Sequence, residues 1–378
     1  MPVDGEATDP RFLDLIRDEI RSSGPLSFAR FMELALYDST FGYYAAGSRR
    51  LGPGGDFFTA SDTGRAFGRC LARQIAEIDR AAGPFDPFHV VEFGCGRGLL
   101  ARDILDAVID LEPELSPRLR YVLADRSKAM RDAAARLVPE AQALAPDELR
   151  EVPGGCVLAV ELFDALPVHR VRRRGETLVE VFVDVDERGN LVEHEDHALP
   201  GVEDWADRYG AAAEEGTEAE VALPAASQLD ALAGAIARGV ILVVDYGCRS
   251  EKLYSPERRR GTLLAYHGHQ TNERFFERVG GQDLTAHVNF SALEDRAQRC
   301  GMSVLGLTTQ DRFLIANGIL EEFEQRDLRE SHDPRRVKRR MQAMQLIHPS
   351  GMGRSFRVLA LSKRCDPQPA LAGLSDPF

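Results

Sequence analysis

The chain has 378 residues, of which 44% are hydrophobic and 28% are charged, so it can bury a sizeable core in one large domain or a few smaller ones. Its formal net charge of -13 disfavours a broad nucleic-acid or anionic-membrane surface and leaves room only for a local basic patch. The six cysteines form no CxxC pair, which predicts neither a zinc site nor a disulfide scaffold and fits a reducing compartment.

The first 80 residues are predicted to form a helical cap. Apolar spacing indicates helices in "FLDLIRDEI" and "SFARFMELAL", and a long glycine-rich loop, "DSTFGYYAAGSRRLGPGGDFFTASD", interrupts them. The acidic N-terminus lacks the basic and apolar regions of a signal peptide, and no apolar run in the chain reaches the roughly 18 residues of a spanning helix. We therefore expect a cytoplasmic protein.

From residue 86 onward, short apolar runs alternate with helical stretches. The runs are "FHVVEF", "LRYVLAD", "GCVLAVELF" and "GVILVVDYG", and "RVLALSK" near the end indicates one more strand. This alternation predicts an α/β fold with a doubly wound, Rossmann-like parallel sheet over residues 81–167 and 226–365. Residues 168–225 break the rhythm with an antiparallel hairpin and an acidic stretch, which indicates an insertion, and residues 366–378 are predicted to be a disordered tail.

A glycine-rich turn follows the first of these strands, in "HVVEFGCGRGLL". Gly94, Gly96 and Gly98 do not match the glycine spacing of a dinucleotide site, because the third glycine stands at the wrong position. Glu92, before them, would also repel a pyrophosphate. A carboxylate there suits the cationic ligand S-adenosylmethionine, and Asp125, after the next strand, is placed to accept its ribose hydroxyls. The alternative is a tight turn that serves packing alone.

Further stretches, spread from residue 24 to 361, give the chain a wider resemblance. They are "GPLSFARFMELALYDSTFGYY", "GDFFTA", "VEFGCGRG", "ELFDALPVH", "VVDYG", "DLTAHVNF" and "MGRSFRVLA". In this order they resemble the MidA-like family of class I S-adenosylmethionine-dependent methyltransferases. Mitochondrial members of that family are complex I assembly factors that methylate an arginine of a respiratory subunit.

The resemblance implies a seven-stranded catalytic sheet, a helical N-terminal region and an inserted substrate-side subdomain. It places "GDFFTA" over the cofactor, with Thr59 and Asp56 as binding residues, although this stretch also fits a helix N-cap with core aromatics. The chain departs from the family's usual motifs at four positions. These positions are Ser61, Asp62, Val160 and Asn289.

Four side chains are candidates for the chemistry of methyl transfer. Glu161 and Asp164 follow the strand "CVLAV", and Asp283 and His287 lie in "DLTAHVNF". A carboxylate can orient a protonated guanidinium, hold its charge and accept a proton, and His287 is a candidate proton acceptor. The alternatives are that Asp164 caps a turn, that Glu161 packs structurally and that His287 is a structural hydrogen-bonding residue.

The sequence thus predicts a methyltransferase that uses S-adenosylmethionine and needs no metal, and the resemblance implies that its acceptor is an arginine of a protein substrate. A small-molecule methyltransferase of the same fold and a non-catalytic assembly module remain as alternatives. We expect neither a nucleic-acid nor a membrane partner, and we leave open a homodimer. The basic run "RVRRRGE" at 170–176 is interpreted as a solvated face at the start of the hairpin.

Overall fold

The computed structural model of the chain describes residues 8–45, 64–268, 270–323 and 334–375. In those ranges the α-helices are α1 Pro10–Ser23, α2 Phe28–Tyr37, α3 Arg65–Ala82, α4 Leu99–Leu111, α5 Lys128–Leu137, α6 Pro200–Tyr209, α7 Pro224–Gly234, α8 Ser250–Leu253, α9 Phe290–Arg299, α10 Gln310–Ala316, α11 Pro334–Ile347 and α12 Met352–Ser355. The strands are β1 Leu26–Ser27, β2 Phe88–Phe93, β3 Leu119–Ala124, β4 Gln142–Leu144, β5 Gly155–Val160, β6 His169–Arg174, β7 Thr177–Val185, β8 Leu191–His197, β9 Glu218–Val221, β10 Gly239–Cys248, β11 Leu264–His267, β12 Gln270–Asn272, β13 Asp283–Thr285, β14 Val288–Asn289, β15 Ser303–Thr309 and β16 Phe356–Lys363.

These elements fold into two compact units. The described residues within 1–57, 163–228 and 247–293 form one, which we call the hairpin unit. Those within 58–162, 229–246 and 294–378 form the other, which we call the sheet unit. The N-terminal helices α1 and α2 belong to the hairpin unit, whereas α3 belongs to the sheet unit, so the predicted helical cap is divided between the two.

The sheet unit contains the doubly wound sheet, as predicted. Seven strands run in the order β15-β16-β10-β5-β2-β3-β4. The pairs β10–β5, β5–β2, β2–β3 and β3–β4 are parallel, whereas β16 is antiparallel to both of its neighbours. The strand order reverses between β2 and β5, and ligands of open α/β sheets bind beyond the carboxyl ends of the strands at such a switch point.

The central strands are apolar on both faces, because helices cover both sides of the sheet. Every residue of β5 is buried, and β2 and β3 are buried at nearly every position. One continuous core joins these strands to helices α3, α4, α5, α10 and α11. Its large buried side chains include Phe67, Phe88, Phe313 and Phe356.

The hairpin unit combines the N-terminal helices with antiparallel strands. In its main sheet β7 pairs with β1, β6 and β8, and β6 pairs with β9. A smaller sheet joins β11 to β12 and β13. The Ser27 side chain accepts the Arg30 backbone N–H and thereby caps α2, whose aromatic face packs into a core with residues from both sheets. The antiparallel strands predicted for 168–200 are therefore observed.

The basic run at 170–176 is balanced by carboxylates of other strands of the same sheet rather than left to solvent. The alternating arginines of β6 form ion pairs with glutamates of β8 and β9; the residues are Arg170, Arg172, Arg174, Glu193, Glu195 and Glu218. We call this set the charge ladder. The interpretation of the run as a simple solvated face was wrong, because it did not take the glutamates of these strands into account.

Arg170 is the most buried member of the charge ladder. Its side chain is only 4% exposed, and its guanidinium carbon lies 5.0 and 5.1 Å from the ring centroids of Phe28 and Phe275. Contact with aromatic faces and pairing with two carboxylates compensate for the loss of hydration of the buried guanidinium.

The tail is ordered where the structure describes it. Leu371 is 5% exposed and belongs to the core of the sheet unit. The Ala372 N–H donates to the Glu77 carboxylate at 3.0 Å, and the Gly373 N–H donates to Gln74 Oε1 at 3.2 Å. The prediction of disorder was therefore wrong for this segment, because composition does not reveal a single anchoring leucine with satisfied backbone groups.

Candidate functional site

The glycine turn joins β2 to α4 in the sheet unit, and its three glycines have positive φ angles of 68°, 51° and 79°. A Cβ built on Gly94 would lie 3.0 Å from Leu162 Cδ1, and one on Gly98 would lie 3.1 Å from Ala134. At Gly96 no described atom lies within 4 Å of such a Cβ. Gly94 and Gly98 are thus explained by close packing, whereas Gly96 faces open space that a ligand can occupy.

Asp125 follows β3 directly and is tied to this turn. Its Oδ2 accepts the Gly96 N–H at 3.0 Å, and its Oδ1 accepts the Ser127 N–H at 2.8 Å. Burial raises the pKa of the carboxyl group above its usual value, and the two backbone hydrogen bonds oppose that shift. Each carboxylate oxygen retains acceptor capacity for a ligand hydroxyl. The structure therefore brings Asp125 to the glycine turn, and its contact with ribose stays a prediction.

Glu92 lies within β2, one residue before the strand ends. It is 3% exposed, and the Tyr121 hydroxyl of β3 donates a 2.7 Å hydrogen bond to Glu92 Oε2. Burial raises the pKa of Glu92 to about 7, with a further increase from the Asp125 charge, while the Tyr121 hydrogen bond opposes the shift. A buried carboxylate poised in this way gains from a cationic ligand, since a nearby positive charge favours its ionised form.

Glu161 directly follows β5 and has a left-handed backbone, with φ of 50°. Its N–H donates to the Val244 carbonyl of β10 at 2.9 Å, and the next amide, of Leu162, donates to Asp245 Oδ2 at 3.2 Å. Residues other than glycine rarely adopt this conformation, and those that do cluster at active sites. No sequence signal indicates this conformation, because glutamate has no local preference for it.

Two further candidates, Asp164 and Asp283, lie in the hairpin unit. Asp164 is 3% exposed, and burial raises its pKa to about 7. Asp283 is 4% exposed and accepts the Tyr44 hydroxyl at 3.2 and 3.3 Å. The pKa of Tyr44 is raised first by burial and then by the charges of Asp283 and Asp164, among other neighbours, so the two carboxylates share one acidic, tyrosine-lined cluster. Backbone hydrogen bonds at Ala165 and at Asp164 itself oppose the rise in the pKa of Asp164.

His287, also in the hairpin unit, faces an arginine. Its Nδ1 lies 3.0 Å from Arg258 Nη1, and its backbone N–H donates to Thr262 Oγ1 at 2.9 Å. Because a guanidinium only donates, Nδ1 is the acceptor and the imidazole proton sits on Nε2. A role for His287 as proton acceptor stays a prediction, and this geometry leaves no free Nδ1 lone pair for it.

The remaining sequence-based candidates and departures fall into two groups. Asp56, Thr59, Ser61 and Asp62 lie outside the described residues. Val160 ends β5, and Asn289 precedes α9, where its Oδ1 accepts the Ala292 N–H at 3.2 Å as an N-cap. The departure at Asn289 therefore retains a capping oxygen.

Sequence reasoning missed Tyr121 and Tyr44 as partners of the candidates. Tyr121 pairs with Val90 in the parallel register, so it shares a face with Glu92, but this register is not visible in either segment alone. Within the described ranges no cluster of three or more His, Cys, Asp or Glu residues could hold a metal ion, and no helix is long and apolar enough to cross a membrane.

Comparisons with known proteins show which family the chain resembles. A family model of S-adenosyl-L-methionine-dependent methyltransferases matches residues 70–308. The protein arginine methyltransferase NDUFAF7, mitochondrial, of Danio rerio is 30% identical over 92% of this chain and 85% of its own length. The Homo sapiens protein of the same name is 28% identical over 91% of this chain and 81% of its own length.

A solved structure covers nearly the whole chain. A Burkholderia thailandensis protein bound to S-adenosyl-homocysteine has a TM-score of 0.89 and 30% identity, over 99% of this chain and 97% of that one. This match confirms the predicted fold class over 99% of the chain.

Proposed function

Because the chain belongs to the family of S-adenosyl-L-methionine-dependent methyltransferases, we propose that its methyl acceptor is an arginine side chain of a protein. Relatives that align over most of the chain are named protein arginine methyltransferases, and none of these comparisons favours a small-molecule acceptor or a non-catalytic module. The observation that carries the proposal is the Glu161 carboxylate, held by a left-handed backbone at the carboxyl end of β5, next to β2 and its glycine turn.

The residues of the glycine turn fit the cofactor. Gly96 leaves open space, Asp125 offers carboxylate oxygens beside it, and the buried Glu92 favours a positive charge nearby. S-adenosylmethionine supplies a methyl group on a sulfonium that is already activated for transfer. We propose that Gly96 and Asp125 hold this cofactor, and that Asp56 and Thr59, as the resemblance implies, contribute as well.

Glu161 is proposed to act on the acceptor. A guanidinium stays protonated in water, so its nitrogen must be oriented and must lose a proton as it attacks. The Glu161 carboxylate accepts two guanidinium N–H groups in a paired hydrogen bond, which fixes the plane of the acceptor and offsets its charge. The same carboxylate would take the proton that the guanidinium nitrogen loses when the methyl group passes to it, the C–S bond of the sulfonium breaks and S-adenosyl-homocysteine is released. Further carboxylate contacts from Asp164 and Asp283 remain predictions.

The proposed partner is therefore a protein substrate. The related proteins are named as mitochondrial, so these comparisons do not support the cytoplasmic location expected from the sequence. The homodimer and the absence of nucleic-acid and membrane partners remain predictions of the sequence.

The test uses cells that lack the gene, complemented with the parental chain or with Glu161→Gln. Quantitative mass spectrometry is expected to find methylarginine peptides that depend on the parental chain. Glu161→Gln should reduce their formation by about two orders of magnitude, as expected for loss of a positioned acid-base group. Calorimetry with S-adenosyl-homocysteine should give an affinity within a few fold of the parental value.

Glu151→Gln serves as the control, because Glu151 is 49% exposed and pairs with Lys363 near the start of β5, at the edge of the sheet opposite the glycine turn. It should leave methylation unchanged. Methyl groups found only on other residue types would contradict the arginine proposal. Parental methylation by Glu161→Gln would contradict the role of Glu161, and a loss of activity that follows loss of cofactor affinity would make Glu161 a binding residue.

A further inference from the structure

The turn after β5 is held from one side by a buried carboxylate of β10. Asp245 has no exposed surface; its Oδ2 accepts the Leu162 N–H at 3.2 Å and its Oδ1 accepts the Tyr246 N–H at 2.9 Å. The preceding amide, of Glu161, donates to the Val244 carbonyl at 2.9 Å. Two successive amides after β5 are therefore held by β10, the first by its backbone and the second by a side chain.

The turn after β5 also packs against the glycine turn, through the side chain of Leu162. Leu162 Cδ1 would lie 3.0 Å from a Cβ at Gly94, and Leu162 Cβ would lie 3.9 Å from it. The Leu162 side chain thus covers the face of Gly94 on which any other residue would carry its side chain. Leu162 is fixed by Asp245 through its amide and packs on the turn through its side chain.

Between its own amide, held by Val244, and the Leu162 amide, held by Asp245, Glu161 keeps a backbone conformation that its side chain disfavours. Such a conformation persists only where the surroundings hold it. Relaxation of the Glu161 backbone would turn the following peptide group and carry the Leu162 N–H away from its acceptor. A buried carboxylate that lost this donor would lose one of the hydrogen bonds that compensate for its desolvation.

We propose that Asp245 is a positioning residue that acts through Glu161. It holds the Leu162 amide and so fixes the left-handed backbone that sets the Glu161 carboxylate relative to the glycine turn. This inference rests on the proposed function, because it gives a mechanical basis to the role of Glu161. It assigns no contact between Asp245 and the substrate.

The test is a double-mutant cycle with Asp245→Asn and Glu161→Gln. Asparagine keeps the size of aspartate but offers one carbonyl oxygen and one amide donor, so it can accept only one of the two backbone N–H groups. We expect Asp245→Asn to lower kcat roughly ten- to a hundredfold, as for a slightly misplaced catalytic group, with S-adenosyl-homocysteine affinity within a few fold. In the Glu161→Gln background the same substitution should change kcat by less than about twofold.

Amide hydrogen exchange at Leu162 provides a readout that is independent of activity. It should become faster in Asp245→Asn, since the acceptor of this amide is weakened. Asp79→Asn is the matched control, because Asp79 is 5% exposed, belongs to the same unit and accepts the Phe85 N–H at 3.1 Å before β2 begins. It should lower stability and leave both kcat and exchange at Leu162 unchanged.

The outcomes separate the inference from the proposed function. Parental turnover by Glu161→Gln would contradict the proposed function. An inactive Glu161→Gln together with parental turnover by Asp245→Asn, losses that multiply in the double variant, or unchanged exchange at Leu162 would overturn the positioning role alone. If Asp245→Asn does not fold, Asp245→Glu retains both acceptor oxygens on a longer side chain, and the same non-additivity with Glu161→Gln is required of it.

Discussion

Replacing Glu92 by glutamine removes a charge that the fold buries at a cost, and the effect should depend on pH. Burial raises the pKa of Glu92 from its usual 4.5 to about 7 in the folded protein. Between these values the folded state binds more protons than the unfolded chain, so the free energy of unfolding falls as pH rises through this window. A shift of this size corresponds to about 3 kcal/mol, and most of it develops between pH 5 and pH 8.

The glutamine side chain of the Glu92→Gln variant cannot ionise, although its oxygen still accepts the Tyr121 hydroxyl. The buried amide N–H groups carry a cost of their own, but that cost is the same at every pH. We therefore expect the stability difference between Glu92→Gln and the parental protein to shift by about 2 to 3 kcal/mol in favour of the variant from pH 5 to pH 8.

The assay is urea unfolding of the cofactor-free protein at pH 5, 6.5 and 8, followed by circular dichroism. Glu114→Gln, at an exposed position of the same unit, is the control and should show no such trend. At pH 8 the Glu92→Gln variant should bind S-adenosylmethionine more weakly than the parental protein. A stability difference that stays constant from pH 5 to pH 8 would refute the reasoning about a buried, shifted carboxyl group.

Two further predictions follow from the sheet unit. Gly96→Ala should lower stability by about 1 kcal/mol, because of the positive φ, and should abolish calorimetric binding of S-adenosyl-homocysteine. The control is Gly175→Ala, at a glycine with φ of 61° and no described atom within 4 Å of an added Cβ, which should show the stability cost alone. Intact binding in Gly96→Ala would mean that the cofactor binds elsewhere. Leu371→Ala should lower the free energy of unfolding by about 2 kcal/mol in urea titrations, because it empties a core position. The control Leu199→Ala, at a residue that is 46% exposed, should change the free energy of unfolding little. Equal effects of the two substitutions would show that the tail does not stabilise the core.

Local sequence signals were sufficient for the sheet and its glycine turn. Short unbroken apolar runs between glycines, such as β5, are typical of strands buried on both faces, and closely spaced glycines indicate a backbone that adopts positive φ. The position of Asp125 follows from the end of the apolar run that forms β3. These features depend on residues that lie within about ten positions of each other.

The partners of the site residues could not be predicted in this way. The Glu92–Tyr121 hydrogen bond depends on the register between two strands, and Tyr44 is 239 residues from Asp283. The left-handed backbone of Glu161 contradicts its local preference and is stabilised by contacts from β10. Such arrangements are decided by tertiary structure, which overrides local propensity at strained sites.

The ion pairs of the charge ladder favour one register in the pairing of the hairpin strands. Side chains alternate between the two faces of a strand, so a slip of β8 by one residue against β7 would turn Glu193 and Glu195 to the opposite face. Arg170 would then keep its contacts with two aromatic rings but have only one carboxylate beside it, and an incompletely compensated buried charge is costly. The ladder thus acts against misaligned hairpins.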